Sequence, residues 1–131
     1  MLTREVILGA DDIKREKVDL TEYGWPGYVY VQGMTGKQRG RFEADLNSTK
    51  GKNQQENWIR FRAKMLVYCV VSDAGDRLFR ESDVDALNEK SAAPLDCLFA
   101  VAQRLSGYRK EDVEEITKNS QDDQSEDSSI D

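Results

Sequence analysis

Asn57-Trp58-Ile59-Arg60-Phe61-Arg62-Ala63-Lys64-Met65-Leu66-Val67-Tyr68-Cys69-Val70-Val71-Ser72 is the stretch on which the fold turns. Trp58, Phe61, Met65, Tyr68 and Ser72 recur at helical spacing, and Ile59, Ala63, Leu66 and Val70 form a second stripe beside them. The first half keeps Arg60 and Lys64 together on a polar face, while the second half is apolar on every side. A helix that is apolar all round is a buried one, so this segment is expected to form the centre of the core, started by an asparagine cap at Asn53 or Asn57.

Working toward the N-terminus, Asn47 to Glu56 contains no apolar residue and reads as an exposed loop. Before it, Thr35-x-x-Gln38 is a capping box for a helix that places Phe42 and Leu46 on one face. Gly40 inside that helix costs on the order of 1 kcal/mol relative to Ala, which a close contact would justify. Lys17 to Leu20 and Tyr28 to Val31 alternate in polarity and are rich in β-formers. Thr21-Glu22-Tyr23-Gly24-Trp25-Pro26-Gly27 lies between them with Gly and Pro as punctuation. They predict an antiparallel hairpin, which needs a helix or another strand to cover it.

Working toward the C-terminus, Asp73-Ala74-Gly75-Asp76 is a turn and Arg77 to Phe79 a short extended link. Ser82 is expected to cap the next helix, with Asp83 and Asp85 in its first turn. A calcium loop fails on spacing: with Gly75 at its sixth position, the first ligand would be Val70. Ser91 caps a long helix with Pro94 in its first turn and the apolar stripe Leu95, Leu98, Phe99, Ala102 and Leu105. Gly107 ends it, and a last helix over Lys110 to Lys118 uses Val113 and Ile116. The expected fold class is α+β, mainly α: a small helical domain of four to five helices carrying an N-terminal antiparallel β-hairpin. Residues 1–119 form one domain, and 120–131 are expected to be a disordered, acidic, Ser-rich tail.

The composition narrows the function classes. The 131 residues are 38 % apolar without their nine glycines, an ordinary globular share. The longest unbroken apolar run, Met65 to Val71, is far short of the ~18 residues of a membrane span. The charged N-terminus shows no secretory pattern, so a soluble intracellular protein is expected. There is no histidine, which removes the commonest general base and zinc ligand. Cys69 and Cys97 are too few for a metal cage and read as buried, reduced thiols. We therefore expect no enzyme activity, no catalytic residues, no metal and no cofactor.

The net charge of −6 is uneven. The last twelve residues carry five acids and no base, residues 35–64 hold eight bases and three acids, and residues 73–91 hold six acids and three bases. The basic stretch, with Trp58 and Phe61 nearby, suggests either a nucleic-acid patch or a solvated face. A solvated face on two helices is the leading expectation; of the binding readings, an acidic protein partner comes before nucleic acid, because a near-neutral body makes a poor polyanion binder.

The order of motifs carries a resemblance. Gly24-Trp25-Pro26-Gly27 and an alternating strand are followed by Met34-Thr35-Gly36 leading to Arg39 and Phe42-Glu43. Arg62-Ala63 then runs into the apolar Met65 to Val71, and Ser72-Asp73-Ala74-Gly75-Asp76-Arg77-Leu78-Phe79 follows. Asp83-Val84-Asp85-Ala86-Leu87, Glu89 to Asp96, Leu98-Phe99 and Glu111 to Glu115 complete the order. Over residues 5–119 this resembles the tail assembly chaperones of long-tailed bacteriophages and prophages. Arg109 departs from the pattern, standing where a serine or threonine cap is expected.

The resemblance implies a non-enzymatic protein of the host bacterial cytoplasm that is absent from the mature virion. It implies binding of the tape measure protein, which is kept soluble until the tail tube polymerises around it. For many members it also implies a longer form, made by a programmed frameshift near the end of the gene, whose added domain recruits the tail-tube protein; in this sequence Lys118-Asn119 is the candidate slippage point, with an ordinary stop codon and a solubilising tail as the alternative. A nucleic-acid-binding regulator using 35–64 and a structural tail or head-completion subunit are the alternatives. Candidate partner-binding residues are Trp25, Tyr28 and Tyr30 on the hairpin and Trp58, Arg60 and Lys64 on the main helix. For the hairpin aromatics, packing onto the helices is the competing reading, and self-association into a homo-oligomer is open.

Overall fold

The computed structural model describes residues 1–48 and 53–118. The expected tail, the Lys118-Asn119 junction beyond Lys118, and Lys50 and Lys52 of the basic stretch lie outside these residues. In chain order the elements are α1 (Arg4–Leu8), β1 (Arg15–Asp19), β2 (Tyr28–Gln32), α2 (Gly36–Ser48), α3 (Gln54–Cys69), β3 (Val70–Val71), α4 (Val84–Asn88) and α5 (Ala92–Leu105). A last helix, α6, covers 110–118. The architecture is mainly α with a small antiparallel sheet, as expected, and one helix more than the sequence suggests: Thr3 caps α1 through its hydroxyl, which accepts from the Val6 amide at 3.2 Å.

The hairpin gains a third strand. The sheet order is β1-β2-β3, antiparallel throughout, with Val18 opposite Val29, Lys17 opposite Tyr30, and Tyr30 and Val31 opposite Val71 and Val70. This corrects the expected helix through Ser72. The main helix ends at Cys69, where Val70 turns extended (φ −82°, ψ 123°). Two valines favour a strand, and their pairing with β2 outweighs one more helical turn. Strand alternation then sends Val18, Val29, Val31 and Val70 to the core and Arg15, Lys17, Tyr28 and Tyr30 outward.

The core is the wall of α3 against α5. Phe61, Met65, Leu66 and Cys69 on one side and Leu95, Leu98 and Ala102 on the other are each at most 1 % exposed. Phe42 of α2 and Tyr108 and Val113 of the C-terminal segment close the cluster. Gly33, at the exit of β2, lies so close to the end of α5 that a Cβ would collide with the Leu105 carbonyl, so only glycine lets the sheet meet this helix.

Several local expectations hold. Thr35 and Gln38 exchange capping hydrogen bonds of 2.9 and 3.0 Å, Asn53 caps α3 by accepting from the Glu56 amide at 2.8 Å, and Gly107 takes the left-handed conformation after α5 (φ +79°). Others change. Gln54 to Glu56 and Asn47-Ser48 are helical rather than loop. A Cβ on Gly40 would touch nothing, so no close contact justifies that glycine. The turn after Arg80 is capped by Asp83, which accepts from the Arg80 amide at 2.7 Å, and not by Ser82. Ser91 is the cap residue of α5 but makes no side-chain capping bond. At Arg109 the missing hydroxyl is replaced from the other side, with the Asp112 carboxylate accepting from the Arg109 amide at 2.9 Å.

Candidate interaction site

Alternation along β2 puts Tyr28 and Tyr30 side by side on the outer face of the sheet. Their rings meet edge to face at 5.7 Å. From β1, the Lys17 ammonium sits 4.1 Å from the Tyr28 ring centre and the Arg15 guanidinium 5.2 Å from that of Tyr30, both cation–π arrangements. Arg15 also donates to Gln32 Oε1 and to the Asp73 carbonyl at 3.1 Å. Tyr28 donates its hydroxyl to the Asp73 carboxylate at 3.2 Å, which raises the Tyr28 pKa. The result is an exposed face of aromatic and cationic side chains held in fixed positions by their neighbours.

Trp25 is placed elsewhere. It leaves the hairpin connection on the other side and packs, half-buried, on the core. With Phe79 and Leu87 it forms an apolar groove along α4, edged by Asp83 and Lys90. Of the two readings of the hairpin aromatics, packing onto the helices describes Trp25, and an exposed face describes Tyr28.

The three candidates of α3 also separate. Trp58 belongs to an aromatic cluster, stacked on Phe61 at 6.3 Å and edge-on to Phe99 at 5.2 Å. Arg60 and Lys64 line a second groove toward α4 with Glu56, Ile59, Glu81 and Asp85. Lys64 is not on a solvated face. It is 6 % exposed and donates to Asp45 of α2 and to Glu81 at 3.0 Å. Burial alone would lower the Lys64 pKa, but the two carboxylates outweigh it and hold the pKa above its usual value. The ion pairs tie α2, α3 and the turn before α4 together.

Two further bases of this stretch are similarly engaged. Arg62 pairs with Asp96 at 2.8 Å. Arg39 pairs with Glu43 at 3.1 Å and lies 3.8 Å over the Tyr108 ring. Glu43 also accepts the Tyr108 hydroxyl. Burial first, and Glu43 second, push the Tyr108 pKa well up. The i,i+4 pairing of Arg39 with Glu43 was legible in the sequence, but its link to Tyr108 was not. The cysteines differ from each other: Cys69 is buried, with its thiol pushed up to about 11 chiefly by burial, whereas Cys97 is only half-buried. Among the described residues no helix is long and apolar enough to cross a membrane.

No protein-family model matches this sequence, and no curated protein does. Among solved structures, that of the bacteriophage HK97 tail assembly chaperone is similar. The two chains are 13 % identical and superpose with a TM-score of 0.54, over 77 % of this chain and 94 % of that one. The shared property is the fold. The superposed parts of this chain share that structure's architecture, and the Trp25 groove and the Tyr28–Tyr30 face lie on the surface of it.

Proposed function

We propose that this protein is a phage tail assembly chaperone, which binds the tape measure protein, keeps it soluble and promotes tail-tube polymerisation around it. The observation that carries the reading is the likeness of fold to the HK97 chaperone across 94 % of that chain, in agreement with the order of motifs in the sequence. A long helical client with uncovered apolar stripes aggregates, and several small subunits covering those stripes in turn prevent this without any chemical step. The role places the protein in the host bacterial cytoplasm and outside the mature virion. A frameshift-extended form would bring the tail-tube protein to the same client. The nucleic-acid alternative draws on residues 35–64, where Arg39, Arg62 and Lys64 already face carboxylates, which leaves less charge for a phosphate backbone.

Co-expression with the tape measure protein of the same phage tests the reading. The tape measure protein should move from the pellet to the soluble fraction and co-purify with the chaperone. A client that stays insoluble, or this protein found as a stoichiometric component of purified virions, would overturn it.

A further inference from the structure

The two edges of the sheet differ. Beyond β3, the Ser72 amide donates to the Asp76 carbonyl at 2.8 Å and the Leu78 amide to that of Val70 at 3.2 Å, with Val71 bridged to Arg77. Residues 76–78 therefore cover that edge. The other edge is β1. The Gly33 amide donates to the Lys14 carbonyl at 3.0 Å and the Leu20 amide to the Gly27 carbonyl at 2.9 Å, and Glu16 and Val18 stand opposite Val31 and Val29 in the same register. Antiparallel alternation thus directs the main-chain bonds of Lys14, Glu16, Val18 and Leu20 to the β2 side and turns the amides and carbonyls of Arg15, Lys17 and Asp19 outward. Among the described residues, no main-chain bond reaches these outward groups.

Sheets commonly close such an edge with lysines or other charges that obstruct a new strand. Here the cations are turned aside. Lys17 reaches over β2 to the Tyr28 ring at 4.1 Å and Arg15 to the Tyr30 ring at 5.2 Å, and Arg15 is further held by Gln32 and the Asp73 carbonyl. Both side chains lean away from the free edge. Asp19 is exposed, with one carboxylate oxygen accepting from the Thr21 amide at 2.9 Å. An open edge of this kind takes a strand by main-chain pairing, and the alternate side chains choose which strand.

The sequence of β1 is complementary to itself. Two copies running antiparallel about a two-fold axis pair their main chains when outward residues meet outward residues. With Lys17 opposite its own counterpart, or Arg15 opposite Lys17, like charges face each other, which is destabilising. The remaining offset sets Lys17 against Asp19 of the second copy and Asp19 against its Lys17. Each of these pairs exchanges both main-chain bonds, and Val18 meets Val18 at the axis.

We infer that the β1 edge recognises a second copy of this chain, joining the two sheets into one through Lys17–Asp19 pairs made twice about a two-fold axis. This contact between copies is independent of the client proposed above.

Sedimentation equilibrium on the full chain tests this. Wild type should be a reversible dimer. Lys17→Glu and Asp19→Lys should each weaken association about tenfold, since symmetry places every reversal in both pairs. The double variant Lys17→Glu/Asp19→Lys restores opposite charges and should regain most of the lost affinity. Lys17→Pro deletes an outward amide and no bond to β2, a placement an edge strand tolerates, so it should leave a folded monomer. Near-UV circular dichroism checks the fold of each variant, because Asp19→Lys also loses the bond from the Thr21 amide. A wild type that stays monomeric at millimolar concentration would overturn the inference. An oligomer that keeps its affinity in Lys17→Pro would do the same, because its contact then lies elsewhere. A double variant as weak as the single ones would remove the charge pairing that selects a second copy. If the dimer behaves as expected while the tape measure protein stays insoluble on co-expression, the chaperone reading fails and the β1 contact stands.

Discussion

In α1 the apolar side chains of Val6, Ile7 and Leu8 are 56, 54 and 68 % exposed, whereas in α3 the ammonium-bearing Lys64 is 6 % exposed. Hydropathy alone would assign these two helices the other way round at those positions. The difference lies in what surrounds them. α3 is enclosed by α2, α4 and α5, so even its cation is covered and must find carboxylates, here Asp45 and Glu81. α1 buries no residue. It precedes the first long-range backbone bond of the chain, Gly33 to the Lys14 carbonyl, and has no second layer to pack on. Burial in this molecule follows the number of elements meeting at a place.

Five measurements would break or sharpen that contrast. The largest effect is expected at Phe61, which is fully buried and touches the rings of Phe42, Trp58, Phe99 and Tyr108. Phe61→Ala should cost about 3–5 kcal/mol in urea denaturation, and a loss near zero would remove α3 from the centre. Across the wall, Leu98→Ala should cost about 2–5 kcal/mol by the same cavity mechanism.

Lys64 sharpens the comparison further. Lys64→Met keeps the aliphatic stem and leaves two carboxylates that reach water, so the loss should be about 1–2 kcal/mol. A neutral result would mean that the ion pairs only offset their own desolvation. At the other pole, Val6→Ser with Ile7→Ser should change stability by no more than about 0.5 kcal/mol. A larger loss would show that α1 packs on something in solution.

The smallest effect concerns pH. The Arg109 amide donates to the Asp112 carboxylate and holds its pKa below the usual value. A depressed carboxyl adds stability above its unfolded pKa, and that stability is lost as pH falls through the folded value. Thermal melts of Asp112→Ala and wild type should therefore differ at neutral pH and converge in strong acid. A constant gap across that range would count against the cap.

Local chemistry made part of this fold readable. The hairpin, the Thr35–Gln38 box, the α5 stripe and the left-handed Gly107 all depend on neighbours a few residues away. Val70 and Val71 were unreadable because a short apolar run at the end of an apolar helix has no periodicity of its own. Tyr30 and Val31, distant in sequence, pair with them on one side, while Arg77 and Leu78 return after the turn to bond them on the other. Lys64 misled for the same reason, since its partner carboxylates arrive from α2 and from the turn before α4. Of the candidate surfaces, the pairing of Tyr28 with Tyr30 follows from strand alternation alone. The groove beside Trp25 does not, because Phe79 and Leu87 reach it through the tertiary fold.

The placement of β3 has a consequence for the order of events during synthesis. β1 and β2 emerge from the ribosome first and can close a hairpin by a short loop. Their partner strand is made only after all of α2 and α3. Two strands are marginal by themselves, so the sheet must wait for the long helices, and the entropy of closing that large loop falls on the late step. Val71 is then the latch of the molecule. Substitutions that weaken its pairing should slow the final ordering of the sheet more than they disturb early helix formation.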